Sequence, residues 1–113
     1  MKKIEAIIQP AKFDDVRVAL AEAGYPGVTV TEVKGHGKQK GVTKSFFGKK
    51  VTVSVLPKLK LEIVATDAEA DKIVKAILGS ASTGQTGDGK IFVKRIDWAY
   101  TLSSGAEGDA AVS

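Results

Sequence analysis

The sequence has no cysteine among its 113 residues. A disulfide framework, a thiolate metal site and a cysteine nucleophile are therefore all excluded. Histidine occurs once, at His36, set among glycines and lysines with no carboxylate near it in sequence. It reads as a solvated loop residue rather than a base or a ligand. Long hydrophobic runs are missing too. Residues 1–9, MKKIEAIIQ, begin with lysines, but the apolar stretch is short and is interrupted by Glu5 and Gln9. That argues against a signal peptide, and nothing approaches membrane-spanning length, so the expectation is a soluble, cytoplasmic protein with no membrane insertion. Acidic residues are absent between Glu32 and Glu62, where Lys34, Lys38, Lys40, Lys44, Lys49, Lys50, Lys58 and Lys60 all fall. Basic residues are absent after Arg95, where Glu107 and Asp109 appear. The net charge of +4 is modest, but its placement is uneven. A basic middle implies an anionic partner: nucleic acid, a lipid headgroup, phosphate or an acidic protein surface. Any single lysine there can equally belong to a solvated face kept for solubility.

What is present is a chain long enough for one domain, residues 1–113, around a single core. It repeats itself with an offset of 57 positions, Lys3-Ile4-Glu5 answering Lys60-Leu61-Glu62, Asp14 answering Asp71, and Val16 answering Ile73. Each half opens on a strand-like run: residues 3–9 are apolar and β-branched, and Leu59, Leu61 and Ile63 alternate with Lys60 and Glu62. Each run is followed by apolar residues at helical spacing, Phe13, Val16, Leu20 and Ala23 in one half and Ala70, Ile73, Ile77 and Leu78 in the other. Pro10 marks the first helix start, and Thr66 with Glu69 forms a T-x-x-E capping pattern at the second. Gly24 and Gly79 are expected to close the helices, with Pro26-Gly27 adding a turn. A further strand follows each helix, over residues 28–34 and 91 to about 97. The order βαββαβ predicts an α+β, ferredoxin-like fold, an antiparallel sheet with two helices on one face and a long central loop.

That loop is the part a minimal fold does not need. Residues 36–50, HGKQKGVTKSFFGKK, separate the halves where a tight hairpin would suffice. Val51, Val53 and Val55 alternate with Thr52 and Ser54, so its distal side can continue as a strand. An unstructured excursion of this length in a compact domain is usually functional, although loop entropy alone would tolerate it cheaply. Lys44, Lys49 and Lys50 with the paired Phe46 and Phe47 favour a contact role, because exposed adjacent aromatics cost solubility unless a partner covers them.

Residues 83–93, TGQTGDGKIFV, hold the densest chemistry. Positions 84–90 fit G-x-x-x-x-G-K, the phosphate loop of nucleotide hydrolases, but Ile91 stands where that motif needs Ser or Thr. A helix precedes these glycines and a strand follows, the reverse of the hydrolytic order. The match to a hydrolase is coincidental. An anion-binding turn and a plain hairpin-type turn both remain open on spacing alone. No residue that could position an attacking water is evident, so a binding or signalling module is expected rather than an enzyme.

The segments EVKGHGKQKG (32–41), LPK (56–58) and TGQTGDGKIFV (83–93), with the N-terminal MKKIEAII, closely resemble the PII signal-transduction family over about residues 1–98. The resemblance implies a homotrimer that binds adenine nucleotide (ATP, ADP or AMP) in clefts between subunits. It also implies a central loop, the T-loop, at about 36–55 that docks on a membrane transporter, enzyme or regulator. Carried over by position, Gly35, Gly37, Lys38 and Gln39 would line the phosphate side, and Gly87, Asp88, Gly89 and Lys90, in the nucleotide loop 83–90, would close it. Thr29 and Val64 would lie near the adenine. Gln39 would offer its amide oxygen to Mg²⁺, which prefers oxygen ligands. Gln39, Lys40, Gly41 and Lys58 would hold 2-oxoglutarate or another small anionic effector. Lys44, Phe46, Phe47, Lys49 and Lys50 would meet the protein partner.

The sequence also departs from that pattern. Thr101 and Ser103, in the tail at about 99–113, stand where the family usually has two phosphate-clamping arginines. Gln85 and Gln9 replace residues that are usually or often basic, Val51 replaces a modifiable tyrosine, and Lys49 a modifiable serine. The chain resembles a divergent member. An RNA-binding module of the same topology would welcome the lysines but needs aromatics on a central strand, and LKLEIVA has none. Nucleic acid is therefore not expected. An amino-acid-sensing domain of that topology leaves residues 84–90 unexplained. Trp98 and Tyr100 read as core or interface packing, with base stacking the lesser role.

Overall fold

The computed structural model describes residues 1–35, 42–46, 49–53 and 55–113, the two middle segments by their backbone alone. Strand β1, Lys2–Ile8, buries Ile4, Ala6 and Ile8 and leaves Lys3, Glu5 and Ile7 on the other face. This is the period-2 alternation of a half-buried strand. A 3-10 turn, Pro10–Lys12, leads into helix α1, Phe13–Glu22, which buries Val16 and Leu20. Strand β2, Thr29–Gly35, follows. Strand β5, Leu56–Ala65, buries Leu61, Ile63 and Ala65, and helix α2, Asp67–Ala81, buries Ala70, Ile73, Ile77 and Ala81. Strand β6, Gly89–Arg95, completes a four-stranded sheet of order β2-β5-β1-β6 in which every neighbouring pair is antiparallel. The ferredoxin-like arrangement is therefore present. Its core lies between one sheet face and the two helices. Ile4, Leu20, Leu61 and Ile73 are essentially fully buried, each contributing about 1.5–3 kcal/mol.

The internal repeat has a geometric meaning. Glu5 and Glu62 occupy equivalent positions in the two halves and also sit directly opposite each other across β1 and β5. The approximate two-fold relating the halves therefore passes through that pair. Like charges so placed repel, and lysines surround them. Lys3 contacts Glu62 and, at 3.4 Å, Glu5. Lys94 lies 3.6 Å from Glu5 and Lys60 lies 3.7 Å from Glu62. Hydrogen bonding from Lys3 holds Glu62 below the usual carboxylate range, and the same bond raises Lys3.

The structure corrects several details. Helix α2 runs through Gly79 to Ala81, so that glycine does not end it. Thr66 is the N-cap but caps with its carbonyl, which accepts the N–H groups of Glu69 and Ala70 at 3.1 Å, and its side chain makes no cap bond. Strand β6 begins two residues earlier than the apolar run implies, at Gly89. The central excursion is not wholly irregular. Strands β3, Val42–Phe46, and β4, Lys49–Val53, pair antiparallel as a two-stranded sheet separate from the main one. Trp98 and Tyr100 are not in the core: both are more than half exposed. Trp98 Nε1 donates to Glu107 at 3.3 Å, and Tyr100 bridges Glu107 in a tail that ends in the short helix α3, Asp109–Val112.

Candidate functional site

The glycine-rich connection between α2 and β6 is a shaped loop. Asp88 closes it: one carboxylate oxygen accepts the N–H of Thr83 at 2.7 Å and of Gly84 at 3.1 Å, and the other accepts the Thr83 hydroxyl at 2.6 Å. The Thr83 Oγ1 in turn accepts the N–H of Gln85 at 3.3 Å. These bonds, led by the Thr83 hydroxyl, hold the Asp88 carboxyl below its ordinary value. From the opposite side, Lys58 Nζ at 2.8 Å and Gln9 Nε2 at 3.1 Å both donate to the carbonyl of Gly87. Lys58 is buried and comes from the start of β5, while Gln9 follows the end of β1.

Gly89 fixes where the loop joins the sheet. Its φ is +114°, and a Cβ there would stand 1.7 Å from the carbonyl oxygen of Ile7. Only glycine fits. The register places Gly89 opposite Ile8 and Lys90 opposite Ile7, so Lys90 leaves the loop as the first cation of β6. Gly35, opposite Leu56, closes the same end of the sheet, and a Cβ added there would meet the Lys58 stem at 3.6 Å. A groove of about 480 Å³ beside it is lined by Pro10, Glu32, Lys34 and Lys58.

The structure thus gathers Gly35, Lys58, Gly87, Asp88, Gly89 and Lys90 at one end of the sheet. It does not bring Thr29 and Val64 there. Thr29 pairs with Glu62, and Val64 lies beyond it on the same open face of β5. Val64 is six residues from Lys58, roughly 20 Å at ~3.3 Å per residue. Gly37, Lys38, Gln39, Lys40, Gly41 and Phe47 lie outside the described residues, as do the side chains of Lys44, Phe46, Lys49 and Lys50. No group of three or more His, Asp or Glu side chains among the described residues could hold a metal ion. The sequence did not point to Thr83 or to a positive role for Gln9. A Thr five residues before an Asp across glycines is a readable signal for the first. Nothing local announces the second.

A profile of the nitrogen regulatory protein P-II family matches residues 1–106. The chain is 54% identical to the nitrogen regulatory protein P-II of Klebsiella oxytoca over 112 residues, covering 99% of this chain and all of that protein. It is 53% identical to nitrogen regulatory protein P-II 1 of Escherichia coli strain K12 and 49% identical to the P-II protein of Pasteurella multocida, with the same coverage of each. The chain belongs to the P-II family. It is a regulatory, signalling protein of nitrogen metabolism rather than an enzyme. P-II proteins act as regulators of partners. No helix among the described residues is long and apolar enough to cross a membrane.

Proposed function

We propose that this P-II protein binds an adenine nucleotide, ATP, ADP or AMP, in clefts between the subunits of a homotrimer. Through the loop at 36–55 it would then regulate a membrane transporter or a regulatory enzyme in the cytoplasm. The observation that carries the reading is the separation along β5. Gly35 and residues 87–90 stand at one end of the sheet, and Thr29 and Val64 stand roughly 20 Å away at the other. One chain cannot wrap one nucleotide with both sets. Two copies can, one supplying the glycine loop and Lys90 to the phosphates and the other supplying Thr29 and Val64 to the base. The open sheet face, with its balanced ion pairs and the half-exposed Phe92, is the surface another copy would cover.

Lys58 and residues 39–41 are the effector site of this reading, for 2-oxoglutarate or another small dianion. An effector carboxylate would take over the ammonium now donated to Gly87. Mg²⁺ would be held by phosphate oxygens with Gln39, since the described carboxylates offer no cluster and magnesium is commonly bound through substrate phosphates. Thr101 and Ser103 cannot form the bidentate forks that arginine offers phosphate. Thr101 is instead engaged within the tail, its N–H donating to Ala106 and its hydroxyl to Ala111. Discrimination should therefore stay below about tenfold per added phosphate, or ~1.4 kcal/mol.

Calorimetry with ATP, ADP, AMP and cyclic AMP, with and without Mg²⁺ and 2-oxoglutarate, paired with sedimentation, tests the reading. Trimeric mass and micromolar or tighter nucleotide binding are expected. Mixed trimers of Lys90→Ala and Val64→Arg chains should recover a fraction of the sites that each homotrimer loses. A monomeric mass unchanged by nucleotide would sink the proposal.

A further inference from the structure

We infer that Thr83 and Asp88 form a clasp that sets the shape of the phosphate loop, making Asp88 a positioning residue that acts through the backbone rather than by touching the ligand. The inference rests on the nucleotide reading above. A carboxylate in a phosphate site is a liability, because like charges repel. Here the problem is resolved by geometry. Both Asp88 oxygens are turned into the loop, onto the Thr83 hydroxyl at 2.6 Å and the N–H groups of Thr83 and Gly84 at 2.7 and 3.1 Å.

Two consequences follow from where those bonds fall. First, the N–H groups of Thr83, Gly84 and Gln85 are spent inside the clasp, so anion donors come from the far side of the turn and from Lys90. Second, the loop is gripped at two separate points. Asp88 ties it back to the end of α2, and Lys58 and Gln9 hold the Gly87 carbonyl from the sheet side. The two grips act on adjacent residues. They leave the 87–88 peptide little freedom to turn, so the loop meets an incoming phosphate already shaped, and less ordering entropy is lost on binding. Thr83 contributes three of the contacts: its N–H and its hydroxyl donate, and its Oγ1 also accepts from Gln85. A serine at position 83 keeps all three. A valine keeps one.

The experiment uses the full chain as its native assembly, with ADP and ATP as probes, and the variants Thr83→Ser, Thr83→Val, Asp88→Asn and Asp88→Ala. Nucleotide affinity is read by calorimetry. Amide exchange at Thr83 and Gly84 is read by NMR in the nucleotide-free protein. Thr83→Ser should bind within about twofold of the parent chain. Thr83→Val and Asp88→Ala should weaken binding tenfold or more and accelerate exchange at both amides, with Asp88→Asn between. If Asp88→Ala does not fold, the serine and valine pair decides. Parent-like affinity in Thr83→Val, or equal losses in Thr83→Ser and Thr83→Val, overturns the clasp. A parent chain that binds neither nucleotide sinks the nucleotide reading itself, and the positioning role with it. Binding by the parent and by Thr83→Val alike sinks only the clasp.

Discussion

The two helix-to-strand connections, residues 23–28 and 82–88, occupy equivalent places in the two halves of the fold, yet they are built on different principles. The first is closed by backbone. Gly24 turns the chain with φ +96° while its N–H donates to Ala21, and the N–H of Tyr25 donates to Leu20 at 2.8 Å. That is a Schellman ending, completed by Tyr25 packing against the core. The second is closed by side chains drawn from three places: Asp88 and Thr83 within the loop, Gln9 from beyond β1, and Lys58 from β5. Backbone closure needs only a glycine and an apolar neighbour, and it leaves nothing over for a ligand. Side-chain closure occupies the Thr83, Gly84 and Gln85 amides and leaves the far side of the turn and Lys90 outside the clasp. In this duplicated fold, the second turn is the one that is not self-sufficient: it depends on side chains from elsewhere in the chain.

The largest expected effect comes from placing a methyl group in the first connection and at the residue where the second enters β6. Gly89→Ala sets a Cβ against the Ile7 carbonyl at a φ that side chains rarely adopt. Either β6 leaves the edge of the sheet or β1 shifts. A loss of about 3 kcal/mol or more is expected, measured by denaturant unfolding. Gly24→Ala meets open space and suffers only the unfavourable φ, so about 1–2 kcal/mol is expected. Equal losses in the two variants would erase the distinction between the connections.

Next in size is Lys90→Ala, which should leave unfolding unchanged and weaken nucleotide binding by about 1.5–3 kcal/mol, the range for a charge-assisted contact. Thr101 and Ser103 supply no cation to share that load. An unchanged dissociation constant in a folded variant would reduce residues 84–90 to a plain turn.

How far these features are legible in the sequence follows the distance over which each is made. The strands and helices are local, and they show in the alternation of Leu59, Leu61 and Ile63 with Lys60 and Glu62 and in the three-and-four spacing around Ile73. The Thr83–Asp88 pair spans five residues and is readable in principle. The grip on Gly87 joins residues 78 and 29 positions apart, and no pattern announces that Gln9 reaches it. The separation of Val64 from Lys58 needs only strand spacing, but its meaning needs the register, which shows that Thr29 lies beside Glu62 and not beside Gly87. The β3–β4 pairing was masked by composition: glycines and lysines read as loop, while the alternating valines signalled only the distal strand.

A smaller effect distinguishes the connections by pH. Hydrogen bonds from Thr83 and then from the backbone hold Asp88 below its ordinary value. A carboxylate with a depressed folded pKa contributes stability that is fully present above its unfolded value and is lost as pH falls through the folded one. Protection of the Thr83 and Gly84 amides, corrected for intrinsic exchange, should therefore hold from neutrality into the ordinary carboxylate range and fall only below it. Residues 23–28 contain no carboxylate, so the amides of Gly24 and Tyr25 should keep theirs over the same interval. Loss of protection at Thr83 beginning near neutrality would mean that Asp88 does not close the loop.

The smallest expected effect belongs to the third connection, between β2 and β5. Among the described residues, strands β3 and β4 pair with each other in a sheet of their own. Replacing residues 42–53 with a short Gly/Ser linker removes that sheet and nothing from the four-stranded one. Loop closure entropy changes by only about 0.6 kcal/mol for each halving of length, so the melting temperature should stay within a few degrees. Nucleotide affinity should also hold, because Gly35 and residues 87–90 lie outside the replaced segment. Partner binding should be lost, since the removed stretch carries Lys44, Phe46, Phe47, Lys49 and Lys50. In the intact protein that binding should weaken as salt rises, because exposed charges are screened over about 8 Å at physiological ionic strength. A large fall in melting temperature would show that the hairpin packs on the body of the domain. Retained partner binding would place the output surface elsewhere, leaving the two helix-to-strand connections as the elements to search.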